Sequence, residues 1–299
     1  MATWVSSTTL NASKKRRIAV ILHGIMGTGR NWMTPAKKLV ERNPEWSILL
    51  TDLRGHGANA NSGVSGHKHT IEMCARDVRQ TLREEIGDDC IPDIVAGHSF
   101  GGKVALAFAA SAIDDGVVPP REVWVIDSLP GPFSASSLNT PYDAEEGRRK
   151  QSTEFVLRSA KAVASRAPFK NRAAMVKALK DIGVEASISA WLASATRKNS
   201  NGGLLFQHNF ETLQTLYDAY RRTDLWSIVE TPPYGMSVSA IVAGRAAWQT
   251  EDLSRLHKYC HWSTTLHESG HNVHVDDLPG TLEALQRSFD LYASDSELK

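Results

Sequence analysis

A chain of 299 residues, 41% hydrophobic and 22% charged, has the size and balance of an ordinary globular protein, with room for one large α/β domain or two smaller ones. Its net charge of +1 supplies no field for nucleic acid or an anionic membrane surface, and no apolar run approaches the roughly 18 residues of a membrane-crossing helix. Three cysteines, Cys74, Cys90 and Cys260, are odd in number and widely spaced, which argues against a disulfide framework and fits a reducing compartment.

The first 13 residues are rich in Ser and Thr and free of acids, a faint likeness to a transit peptide, but they lead straight into an apolar strand. Lys14-Lys15-Arg16-Arg17 reads as a solvated lead-in to that strand rather than a basic address. The expected location is cytoplasmic, with organellar import left open.

Residues 18–22 form the first buried strand, apolar and rich in Val and Ile. It ends in His23-Gly24 and a Gly-rich loop, "HGIMGTGRNW". Gly24, Gly27 and Gly29 match neither GxxxxGK[ST] nor GxGxxG, so a phosphate loop is the weaker reading. A helix over 32–40 and a strand over 48–51 follow. The "TDLRGHG" stretch then holds Asp52 and Arg54, expected to pair charges and satisfy backbone rather than to catalyse. His56, His67 and His69 show no convincing metal spacing. A helix over 71–86 precedes the strand 94–96.

Directly after it comes Gly97-His98-Ser99-Phe100-Gly101, the G-x-S-x-G pattern, with Gly102 behind it and an alanine-rich helix over 101–112. In a nucleophile elbow the serine takes a strained conformation, its neighbours must be glycines, and its hydroxyl projects at a helix N-terminus. Acyl transfer also needs two backbone N–H donors for the developing oxyanion, one after the nucleophile and one from another loop. Phe100 and Ile25 are the natural pair. His23, Gly24 and His98 are expected to line the pocket.

A strand over 123–126 ends at Asp127. After Pro130 the period changes: residues 131–235 show helical patterning over 155–164, 173–179, 187–195 and 210–220, with no convincing strand. Strand signals resume at 239–243 and 263–267. Strands alternating with helices imply a mostly parallel sheet with helices on both faces. The expected organisation is a core of 1–130 and 236–299 with a helical cap, 131–235, over the carboxyl ends of the strands, where open α/β sheets bind ligands.

In this order, "LHGIMGTGRNW", "TDLRGHGAN", "GHSFGG" and "GHNVHVDDLPG" resemble the α/β-hydrolase superfamily over essentially the whole chain outside the helical stretch. Within it, the chain looks most like small capped bacterial serine esterases and their eukaryotic abhydrolase relatives. The stretches "ISAWLASATRK" and "GGLLFQHNFETL" are similar to theirs as well. The resemblance implies an eight-stranded sheet, a Ser, acid, His order along the chain, and cofactor-free hydrolysis of small carboxylic esters or thioesters.

Ser99 is then the nucleophile and His271 the base. Two places compete for the acid. Much of the superfamily carries it three residues after a glycine past strand 7, but here Gly244-Arg245-Ala246-Ala247 puts alanine there. Glu251 and Asp252 lie nearby, in what reads as a helix start at Thr250. The alternative is Asp127, at the end of strand 6, where the relatives carry a similar Asp-x-x-Pro.

His267-Glu268-Ser269-Gly270-His271 also spells HExxH, the zinc-protease pattern. Its flanks are β-prone, Gly270 weakens a helix, and only His261 or His274 offers itself as a third ligand. In the hydrolase reading no metal is expected, and His274 serves packing or a loop hydrogen bond. Of the eight tryptophans, Trp124, Trp191 and Trp226 read as packing rather than a stacking platform. A ligand receptor on the same scaffold, with the same residues but little turnover, is the competing functional class.

Overall fold

The computed structural model describes residues 2–7, 17–61, 69–87, 91–133, 152–246 and 250–293. In chain order the strands are β1 (Ala2–Ser6), β2 (Arg17–Leu22), β3 (Trp46–Thr51), β4 (Ile94–His98), β5 (Glu122–Ile126), β6 (Thr196–Lys198), β7 (Leu204–Phe206), β8 (Ser237–Ala243) and β9 (Trp262–Leu266). The helices of the sheet-forming part are α1 (Met33–Arg42), α2 (Ile71–Ile86) and α3 (Phe100–Asp114) before β5. Between β5 and β8 lie α4 (Thr153–Ala164), α5 (Arg172–Asp181), α6 (Ala186–Leu192), α7 (Phe210–Arg222) and α8 (Trp226–Glu230). Helices α9 (Thr250–Tyr259), α10 (Val273–Asp276) and α11 (Leu278–Ala293) complete the chain.

Seven strands make one sheet in the order β1-β3-β2-β4-β5-β8-β9, parallel throughout except for β1. Alternate residues along the strands serve opposite faces. Val20, Leu22, Leu49, Val95 and Val125 pack against Val78 and Leu82 of α2 and Val104 of α3. Ala19, Ile21, Ile48, Leu50, Trp124 and Ile126 pack against Leu39 of α1 and Leu285 and Phe289 of α11. A sheet with both faces covered needs strands apolar on every residue, and that is why these strands read as continuous apolar runs rather than alternating ones.

The sheet corrects the eight strands implied by resemblance: among the described residues there are seven. The strand that ends at Asp127 is accordingly fifth in chain order, not sixth. β1 adds a strand that was not expected in the first 13 residues. Trp4 pairs with Leu49 and Val5 with Ile48, and Val5 is the one residue of the strand that is buried. A single inward side chain on an edge strand leaves too little periodicity to read. Lys14, Lys15, Arg16, Cys90, His67 and Ala247 lie outside the described residues.

The described residues between β5 and β8 are mainly helical, with one departure from expectation. The helix expected over 187–195 stops at Leu192, and the chain turns into a hairpin, β6 pairing antiparallel with β7. Three-residue strands carry too few alternations to show a period. The turn between them is closed by Asn199 N–H donating to the Gly203 carbonyl, 2.9 Å. Leu157, Met175, Leu179, Leu192, Phe206, Phe210 and Leu213 form a separate apolar cluster there, and Met26 of the β2–α1 loop joins it.

The sheet fixes where a site can form. From β2 the chain steps to β3 on one side and to β4 on the other, so the loops leaving β2 and β4 diverge and open a crevice at their carboxyl ends.

Candidate active site

β4 feeds into α3 through Ser99 alone. Its φ of +53° lies in the region that non-glycine residues avoid, and its N–H donates to the Ile126 carbonyl at 2.8 Å, so the sheet ladder holds the turn. The flanking glycines are required by close approach. A Cβ on Gly97 would stand 2.0 Å from the Gly101 carbonyl oxygen, and one on Gly101 would stand 2.6 Å from that of Leu22. The Ser99 side chain thereby emerges at the N-terminus of a 15-residue helix, where the backbone dipole favours negative charge.

His271 arrives from the opposite edge of the sheet, on the loop between β9 and α10. Its Nε2 lies 2.9 Å from Ser99 Oγ and its Nδ1 lies 2.6 Å from Asp127 Oδ2. Asp127 follows β5 with φ +43°, a conformation that Asp tolerates better than most residues. Its N–H donates to Ile241 O at 2.7 Å, and its Oδ1 accepts Ala243 N–H at 2.9 Å. The carboxylate side chain is 2% exposed, whereas His271 is about half exposed, at 52%. Glu251 and Asp252 sit in the first turn of α9. Among the described residues no hydrogen bond joins them to His271, whose Nδ1 is taken by Asp127.

The other sequence-derived residues fall around this line. Gly24, Ile25 and His98 border a cavity of about 450 Å³ beside Ser99 and His271. His98 Nε2–H donates to the His271 carbonyl at 2.7 Å, so the residue before the serine also fixes the backbone that carries the imidazole. Burial, with His271 and His274 close by, holds the His98 imidazole well below its ordinary pKa, hence neutral. The N–H groups of Phe100 and Ile25 have no hydrogen-bond partner among the described residues. Phe100 opens α3, where an N–H has no partner within the helix.

His23 departs from expectation. It is fully buried behind the cavity wall rather than lining it, with Nδ1–H donating to Gly24 O at 2.8 Å and Nε2 accepting Leu53 N–H at 2.9 Å. Asp52 and Arg54 do the structural work expected of them. Asp52 accepts Gly29 N–H and Ala58 N–H, both at 2.8 Å, and Arg54 makes a two-pronged pair with Asp77 at 2.7 Å. His274 stacks on Trp32, ring centroids 4.5 Å apart. Residues 267–271 run through a turn and an irregular loop, so the two imidazoles of HESGH are not set one helical turn apart. No group of three or more candidate metal ligands occurs among the described residues.

Two sets of residues escaped the sequence reading. The outer cavity wall comes from α4 and α6, through Thr153, Val156, Ser187, Ile188 and Trp191. Trp191, read as packing, is thus a wall residue, while Trp124 and Trp226 are buried as expected. The second is Lys103, fully buried in α3, whose Nζ donates to the carbonyls of Gly131 (2.7 Å), Tyr220 (2.6 Å) and Thr223 (2.8 Å). A charge set inside "GGKVALAFAA" was the available signal. Its partners, far along the chain, gave none.

A profile of the alpha/beta hydrolase family matches residues 19–284. The sn-1-specific diacylglycerol lipase ABHD11 of Mus musculus is 33% identical over 95 residues, 32% of this chain and 28% of that protein. The 2-succinyl-6-hydroxy-2,4-cyclohexadiene-1-carboxylate synthase of Citrobacter koseri is 32% identical over 94 residues, 31% of this chain and 33% of that one. The chain thus matches about a third or less of the length of these curated relatives. Among solved structures, a marine microorganism esterase has the same fold, with a TM-score of 0.72 at 18% identity over 96% of this chain and 98% of its own. The family profile runs from the second strand into the last helix, and the chain belongs to the alpha/beta hydrolase family.

Proposed function

We propose that the protein is a serine hydrolase that cleaves a small carboxylic ester or thioester through an acyl-enzyme. The observation that carries this reading is the hydrogen-bonded line from Ser99 Oγ through both nitrogens of His271 to Asp127, set at the edge of a cavity. In it, His271 takes the proton of Ser99 as the oxygen attacks the carbonyl. Asp127 accepts from Nδ1–H, which fixes the tautomer that leaves Nε2 free to act as base, and it stabilises the imidazolium that forms. The unengaged N–H groups of Phe100 and Ile25 receive the oxyanion. His271 then protonates the leaving alcohol or thiol, and water reverses the sequence.

In the same reading, residues 131–235 act as a cap over the core of 1–130 and 236–299. Support comes from the cavity, which is walled on one side by Gly24, Ile25 and Ser99 and on the other by side chains of α4 and α6. Its walls are mixed. Met26, Val156, Ile188 and Val275 suit an acyl chain, while Asn31, Ser187 and Asn272 offer polar contact. The chemistry calls for no cofactor.

Ser99→Ala tests the reading. With p-nitrophenyl acetate, kcat is expected to fall roughly 10⁴- to 10⁶-fold while the fold is retained. Turnover at the wild-type rate would remove Ser99 from the mechanism. A fluorophosphonate probe run beside a multiple-turnover ester assay separates an enzyme from a receptor on this scaffold: labelling without sustained product would favour the receptor.

A further inference from the structure

β2 and β3 are neighbouring parallel strands, with Leu22 paired to Thr51, so the loops that leave their carboxyl ends run side by side. Each loop contributes one histidine to the other. His23 Nε2 accepts the N–H of Leu53 at 2.9 Å, and in return His56 Nε2 accepts the N–H of Met26 at 3.0 Å. The remaining nitrogens turn back on their own loops: His23 Nδ1–H donates to Gly24 O at 2.8 Å, and His56 Nδ1–H to Arg54 O at 2.9 Å. The two rings meet edge-on, centroids 4.8 Å apart, with no exposed surface on either. Because each Nε2 receives a backbone N–H, both rings are confined to the neutral Nδ1–H tautomer.

What His56 holds is unusual. Gly27 N–H donates to Gly24 O at 3.0 Å, closing a four-residue turn around Ile25 and Met26. Met26, the third residue of that turn, has φ +60°, a conformation for which such turns ordinarily recruit glycine. A methionine there is strained by an amount of order 1–3 kcal/mol and needs an outside constraint. His56 supplies one, by fixing the peptide that joins Ile25 to Met26. The same turn lies against the nucleophile: a Cβ on Gly24 would stand 3.3 Å from Ser99 Cβ. His56 is absent from the cavity wall, so it touches no substrate there.

We infer that His56 is a positioning residue for acyl transfer: by gripping the Met26 amide it holds the β2–α1 turn in the one conformation that presents the Ile25 N–H to the oxyanion, with His23 fastening the loop from the other side. The inference rests on the acyl-enzyme reading of this site. It places the influence of His56 on the transition state, where the negative charge develops, and not on ground-state binding. Three residue-scale facts converge on it: a strained turn, a free N–H within that turn, and a buried ring whose geometry matches the turn's amide.

The experiment compares His56→Phe with the wild type, counting active sites by fluorophosphonate titration. Three readouts are kcat, KM, and affinity for an acyl trifluoromethyl ketone, whose adduct with Ser99 carries an oxyanion. Deleting one oxyanion donor outright costs roughly 10²–10³ in kcat, so a displaced donor is expected to cost roughly 10- to 100-fold. Ketone affinity per active site should fall by the same factor, with KM within about twofold. His56→Gln, which offers an acceptor and a donor of similar reach, should recover part of both.

A ring that serves only stability lowers the melting temperature and the number of titratable sites, and leaves kcat and ketone affinity per site unchanged. That outcome overturns the inference. If His56→Phe does not fold, His56→Gln and His56→Met are compared in its place, since they differ in hydrogen bonding more than in volume. Equal kcat per site in those two overturns it as well. Failure of the underlying acyl-enzyme reading shows separately, as retained turnover in Ser99→Ala.

Discussion

The Asp127 carboxylate accepts from two directions, the Ala243 amide at one oxygen and the His271 ring at the other. Asparagine tolerates the same left-handed backbone, so Asp127→Asn isolates the chemistry from the turn. An amide presents the wrong partner to Nδ1–H, and kcat is expected to fall roughly 10³- to 10⁴-fold with little change in stability. Asp252→Asn, on the outer helix α9, should keep kcat within about twofold. A large loss in the second variant and none in the first would move the acid to the first turn of α9. Ser99 was legible in the sequence because a strained serine needs glycines at fixed offsets, Asp127 because it ends an apolar strand run, and His271 only through the resemblance of "GHNVHVDDLPG" and the chain order it implies. His56 was illegible for the opposite reason. Its role depends on which amide faces its ring, and that is decided by two loops 30 residues apart meeting across neighbouring strands.

Among the elements, α3 is apolar nearly all round, which marks a helix buried on every side. Lys103 interrupts that pattern by reaching out of the helix to three carbonyls. Gly131 lies just past β5, and Tyr220 and Thr223 lie at the end of α7, so one ammonium ties the helix that follows Ser99 to two points far apart in the chain. Burial draws its pKa down to about 7. Lys103→Met keeps much of the stem but leaves the carbonyls unanswered, at a cost of about 1–3 kcal/mol for each that finds no water. Urea unfolding should show a lower midpoint, and an unchanged midpoint would contradict the role. Elements were readable where the pattern had length. Residues 71–86 emerged as α2 with the expected bounds, capped by Thr70 accepting Met73 N–H and ended by Gly87 at φ +92°. The β6–β7 hairpin and β1 were too short for a period to appear, and α8 and α11 went unassigned although α11 shares one face of the sheet with α1.

Over the whole molecule, five buried histidines, His23, His56, His98, His208 and His274, are all held below the ordinary imidazole value, chiefly by desolvation. For His208 and His274 the value is about 4. An unfolded chain takes up protons on these side chains from about pH 6.5 downward, while in the folded one His208 and His274 resist until about pH 4 and the other three are likewise held below their ordinary value. The unfolded state therefore binds more protons in that window, and stability rises with pH across it. Glu122 and Asp252, whose carboxyls are raised chiefly by burial, act in the opposite sense but are two groups against five. The melting temperature is expected to drop steadily as pH falls from about 6.5 toward 4, and His208→Gln should flatten part of the slope. A melting temperature indifferent to pH over that range would count against the burial of these rings.

Ser99 and Asp127 issue from adjacent strands, β4 and β5, with His98 and Ile126 paired one residue earlier. Serine and carboxylate are thus held by one hydrogen-bonded lattice, whereas the imidazole is delivered on a separate tether, the loop between β9 and α10. Under the proposed mechanism, the proton-carrying ring is the one member of the site that does not directly follow a sheet strand. A redesign of this scaffold can vary the tether and leave the lattice untouched.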